Sequence, residues 1–69
     1  MPYESNDELP PPVRDHLPHH AQDIYRAAFN NAWSRYRASA RREEIAHRIA
    51  WTAVKRRYEK RDHEWVLKG

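Results

Sequence analysis

Five histidines and ten carboxylates are the side chains of this 69-residue chain best suited to chemistry. His16, His19 and His20 lie near Asp15 and Asp23, and imidazole mixed with carboxylate is the ligand set of a metal site. The spacing works against that chemistry. Pro18 separates His16 from the downstream helix, and only His19 and Asp23 stand at i and i+4, the separation that puts two ligands on one helix face. The segment therefore reads as a helix start, with His19 or His20 near the cap and Asp23 complementing the positive end, and no metal is expected. His47 falls on an apolar stripe, as a packed and hydrogen-bonded histidine does, and His63 has no partner at helical spacing. Glu43 and Glu44 follow Arg41 and Arg42 at a second helix start, where acids favour the dipole and can form a capping box with Ser39 or a neighbour.

Enzymatic signatures are missing. There is no Cys nucleophile, a single Gly leaves no Gly-rich phosphate loop, and Ser5, Ser34 and Ser39 lack a His/Asp relay. Neither a catalytic residue nor a cofactor is expected, and so short a chain has little room for a substrate pocket. The basic residues hold the remaining signal. Arg35 and Arg37 end one helical stretch, Arg41 and Arg42 fill a connection, Arg48 lies on the next helix, and Lys55, Arg56, Arg57, Lys60 and Arg61 crowd its C-terminal half. Cations near a helix C-terminus are favourable with the macrodipole, so a solvated face explains several of them. With Tyr36, Trp51 and Tyr58 among them they also offer an interaction face, either for phosphate or for an acidic protein surface. A net charge of +3 permits both and selects neither.

Two helix signatures placed almost back to back must position these residues: Ala21 to Arg37, beginning near residues 18–20, and Arg42 to Tyr58, with Ala38 to Arg41 between them. On the first, Ala21, Tyr25, Ala28, Phe29, Ala32 and Tyr36 form one stripe, with Trp33 at its flank and Asp23, Arg26, Asn30, Ser34 and Arg37 opposite. The second has two apolar stripes, Ile45, Ala46, Ile49, Ala50 and Ala53 on one side and His47, Trp51, Val54 and Tyr58 on the other. A helix apolar over most of its girth belongs at the centre, so its small-residue stripe should take the first helix and its Trp51 stripe should be covered by the chain ends. Prolines at 2, 10, 11, 12 and 18 keep the N-terminal stretch extended, with one short turn over Pro12 to Leu17. Leu9, Val13 and Leu17, four apart, form a lid on the core. The ends should meet as a small two-stranded sheet pairing Met1–Glu4 with Glu64–Lys68, stable only because it packs on the helices.

The length sets one domain over residues 1–69, burying only roughly 60% of its unfolded surface, so three Trp, four Tyr and one Phe must supply the core. No Cys, no leader-like apolar segment after Met1 and no run of about 20 apolar residues point to a cytoplasmic protein that is neither exported nor inserted in a membrane.

The order and spacing of Met1-Pro2-Tyr3, Leu9-Pro10, Leu17-Pro18, His20-Ala21-Gln22-Asp23-Ile24-Tyr25, Ala28-Phe29-Asn30 and Ala32-Trp33 are specific in combination, as are those of Arg42-Glu43-Glu44, Ala46-His47, Ala50-Trp51, Ala53-Val54-Lys55 and Tyr58. In these the chain resembles the ChaB family of small bacterial proteins, labelled as cation transport regulators. The resemblance implies a mainly α fold, two long helices plus a short N-terminal helix with a small two-stranded sheet in a cyclin-box-like arrangement. It also implies a regulator with a protein partner such as the cytoplasmic face of a cation/proton antiporter, which fits the absence of enzymatic signatures; a nucleic-acid-binding module is the alternative, and the chain is expected to be a monomer. Some members carry a long acidic loop between the main helices that suits weak contact with divalent cations. Here that segment is Ala38-Ser39-Ala40-Arg41, short and basic, so calcium and magnesium should have little specific effect, and the departure leans toward the members regarded as DNA binders.

Overall fold

The computed structural model describes residues 2–68. After a 3-10 turn at Asn6–Glu8 come helices α1 (Pro11–His16), α2 (His19–Arg35) and α3 (Arg42–Arg57), then strands β1 (Tyr58–Arg61) and β2 (Glu64–Leu67). Prolines 11 and 12 occupy the first turn of α1, where a missing N–H has no helical partner to lose, and Pro18 stops the chain from remaining helical at Leu17. Leu9, Val13 and Leu17 are buried, as their spacing predicts, and join Ala21, Tyr25, Phe29 and Ala32 of α2 with Ala46, Ala50 and Val54 of α3 and Tyr58 in one core. Tyr36, expected to extend the stripe of α2, is the residue that caps it and lies exposed.

The two-stranded sheet forms, but not between the chain ends. β1 and β2 are a local antiparallel hairpin, with Tyr58 opposite Leu67, Glu59 opposite Val66, Lys60 opposite Trp65 and Arg61 opposite Glu64. The expected pairing of residues 1–4 with 64–68 is thus corrected; Met1 lies outside the described residues. The N-terminal segment is held by side chains instead. Asn30 accepts the Tyr3 N–H at 2.8 Å and donates to the Tyr3 carbonyl at 2.7 Å. Arg26 donates to the Glu4 carbonyl at 2.8 Å, and Asn6 donates to Asp23 at 2.7 Å. The Tyr3 ring then lies on Phe29, centroids 4.7 Å apart. The side of α2 read as solvated is the side on which residues 3–6 are fastened, which leaves that extended backbone no need of a strand partner.

The ends do approach each other around Trp51. Trp65 of β2 packs on Trp51 at 5.6 Å, and Pro12 and His16 of α1 complete the same neighbourhood. The other stripe of α3 departs from expectation. Tyr25 and Phe29 lie over His47 and Trp51, and Ala46 and Ala50 are fully buried with them. Ile45, Ile49 and Ala53 remain only half-buried on the flank. The helix covered on opposite sides is α2, between α3 and the N-terminal segment, rather than α3.

Candidate docking surface

The connection between the long helices spends its charges locally. Arg41 sets both Nε and an Nη on the Glu44 carboxylate, at 2.8 and 2.7 Å, and its backbone N–H donates to Ser39 Oγ at 3.1 Å. The capping box expected from Ser39 and the Glu pair is therefore replaced by this ion pair, and Arg41 itself occupies the cap position of α3, with no side-chain bond to the free backbone N–H groups of the helix. Arg42 stacks its guanidinium 3.9 Å above the Trp33 ring and donates from Nε to the Trp33 carbonyl at 2.8 Å, which explains why Trp33 sits off the stripe of α2. Arg61 leans on Glu59 of its own strand at 3.4 Å.

Other members of the basic set are free. Arg35 from the last turn of α2 meets Arg48 and Arg56 of α3 around Ile49, Thr52 and Ala53, forming an open groove of about 400 Å3. Its floor is the half-buried flank of α3, and Thr52 turns its hydroxyl inward to donate to the Arg48 carbonyl at 2.9 Å. None of the three arginines forms an ion pair among the described residues. Arg56 also borders a shallower hollow with Arg57, Leu67 and Lys68. Lys60 faces a different cleft, beside Trp51 and Trp65, while Arg37 and Lys55 are exposed outside all of these sites. The ten basic positions thus separate into a groove, its extension, several residues placed elsewhere, and Arg37 and Lys55, which are exposed and lie in none of these sites. Sequence reasoning missed the floor: Ile49 and Ala53 read as core, and only packing reveals that they stay half-buried at the edge of it.

The histidines are scattered. His19 Nδ1 lies 3.8 Å from the Asp23 carboxylate, and among the described residues no group of three His, Asp or Glu converges on a metal-sized site. The Asp23 carboxyl is held below its ordinary value, first by the bond from Asn6 and then by the nearby His19 and Arg26. His47 is packed and hydrogen-bonded: Tyr25 Oη lies 2.5 Å from its Nδ1, and its Nε2 stands 3.8 Å from Glu43. Desolvation by burial pushes the Tyr25 phenol well above its usual value, so the hydroxyl stays protonated and donates to Nδ1. Because the folded state resists ionisation, stability is intact below about pH 10 and falls above it, at about 1.4 kcal/mol per pH unit for one proton. Urea unfolding from pH 9 to 11 should show a shallower fall in Tyr25→Phe than in the parent chain. Equal slopes would mean that the phenol ionises freely in the folded state.

Comparison with known proteins decides what these features belong to. Residues 9–68 match the ChaB family. The chain belongs to the ChaB family. It is 50% identical over 76 aligned positions to the ChaB proteins of Escherichia coli K12 and Shigella flexneri, covering the whole of each chain; both are provisionally named cation transport regulators. An NMR solution structure of a ChaB protein with the same provisional name superimposes with a TM-score of 0.87 at 47% identity, over 99% of this chain and 100% of the other. The ChaB fold is mainly helical, with three helices and a two-stranded antiparallel sheet, as found here. Among the described residues of this ChaB chain, no helix is long and apolar enough to cross a membrane.

Proposed function

We propose that this chain is a non-enzymatic regulatory module of the ChaB type that works in the cytoplasm as a monomer, docking its arginine-rimmed groove on an acidic segment of a protein partner. The cytoplasmic face of a cation/proton antiporter is the partner class that the relatives' name and the family resemblance favour. The observation that supports this reading most is the pairing of a half-buried apolar strip, Ile49 and Ala53, with Arg35, Arg48 and Arg56, which have no carboxylate partner among the described residues. An apolar centre with an arginine rim is the composition of a binding patch: the centre supplies buried area, and each guanidinium can take a carboxylate through two parallel hydrogen bonds.

Reversing two of those charges tests it. Arg48→Glu with Arg56→Glu should abolish capture of a protein partner from native membranes and cytoplasm while the chain stays folded, the Arg56 change at the end of α3 costing about 1 kcal/mol. Capture undiminished by the double variant would remove the groove from the interface. Loss of all capture from the parent chain on nuclease treatment would instead favour the nucleic-acid alternative, in which affinity falls steeply with salt as counterions are released.

A further inference from the structure

A second cleft, apart from the docking groove, lies between α1 and the hairpin. Pro12 and His16 of α1, Trp51 of α3, Lys60 and Trp65 of the strands and His63 of the turn enclose about 200 Å3. The register of the hairpin sets its charge. Directly opposed residues share a face of the sheet, so Lys60 and Trp65 stand together, while Glu59 and Glu64 belong to the pairs on the opposite face. Among the described residues no carboxylate lines the cleft, and none of His16, Lys60 and His63 is in an ion pair. The acids adjacent in sequence to these residues are Glu59 and Glu64, on the opposite face, Asp62 in the turn, and Asp15, which Arg14 already engages at 3.5 Å.

The turn itself adds a second observation. Both of its central residues have positive φ, 46° at Asp62 and 74° at His63. Asp tolerates this region, but the second position of such a hairpin turn favours Gly, which has no Cβ to crowd the backbone. His63 holds a disfavoured conformation, and its imidazole lines the cleft. Strained residues of this kind persist where a side chain must be presented in one place.

We infer that the cleft binds a small aromatic carboxylate. The indoles of Trp51 and Trp65 and the Pro12 ring contact its ring, Lys60 holds its carboxylate, and His16 and His63 flank it with imidazole N–H donors. The volume is below the roughly 300 Å3 at which pockets for drug-sized ligands begin, so one ring system fits and a nucleotide does not. Phosphate is disfavoured because the cleft has no arginine fork, and the consecutive prolines opening α1 remove the backbone donors that a helix start would otherwise aim at a phosphate.

Benzoate, its neutral isostere benzamide and inorganic phosphate, titrated separately into 15N-labelled protein at pH 7.5, test this. Benzoate should shift the Trp51 and Trp65 indole N–H and the Lys60 and His63 amides saturably and bind about tenfold more tightly than benzamide. Lys60→Gln should remove the preference for benzoate. His63→Gly suits the turn and should fold at least as well, yet weaken benzoate about threefold. Equal affinity for benzoate and benzamide, tighter binding of phosphate, unchanged benzoate affinity in His63→Gly, or no saturable shift would each overturn the proposal.

Discussion

Phe29→Ala should leave this protein largely unfolded at 25 °C. Phe29 is fully buried and its ring meets four others: Tyr3 at 4.7 Å, His47 at 4.7 Å, Trp33 at 5.8 Å and Tyr25 at 6.4 Å. Removing a buried phenyl ring costs about 3–5 kcal/mol, and a domain of this size has only about 3–10 kcal/mol in total. The ring also joins the N-terminal segment to α3 across α2, so its loss should loosen Tyr3 as well as the helix pair. Phe29→Leu, which removes three side-chain carbons where alanine removes six, should leave a smaller cavity, cost less than the alanine change and stay folded. Circular dichroism melts of the two variants check this, and an alanine variant melting close to the parent would show that the core is centred elsewhere.

Trp51→Ala is expected to cost about 3 kcal/mol, less than the phenylalanine change because Trp51 is only half-buried. Its indole stands edge-on to Tyr25 at 5.3 Å and tilted against Trp65 at 5.6 Å, so it carries the hairpin on the helix pair. A two-stranded hairpin is marginal without such support. Amide exchange at Glu59 and Val66 should therefore accelerate far more than exchange at Tyr25 or Ala50. Uniform acceleration would mean that the hairpin and helices unfold as one unit.

The helices were legible because their signals are strong and local. Apolar spacing located both long helices to within about two residues, and Leu9, Val13 and Leu17 announced a lid by recurring every four positions. The hairpin was hidden for a physical reason. Glu59, Lys60 and Arg61 favour continued helix, and the turn at Asp62 and His63 has none of the Asn-Gly or Asp-Gly chemistry that marks such a reversal. Asn30, Asp23 and Arg26 misled in the opposite sense: periodicity assigns polar side chains to solvent, whereas these bind the backbone or side chains of residues 3–6. The basic residues were found by composition, but their division into engaged and free sets depends on pairings such as Arg41 with Glu44 and Arg42 with Trp33 that only the fold brings about.

The floor of the groove was hidden by the same limit. A helix apolar over most of its girth reads as central, and nothing in α3 alone says that Ile49 and Ala53 stay half-buried in the groove. A photo-reactive residue replacing the exposed Thr52, in the middle of that groove, tests the docking account most directly. Irradiation in native cytoplasm with membranes present should give a nuclease-resistant adduct that mass spectrometry traces to an acidic segment of a protein, and the adduct should vanish in the Arg48→Glu, Arg56→Glu background. Adducts that form equally well in that background, or that disappear when nucleic acid is digested, would contradict it.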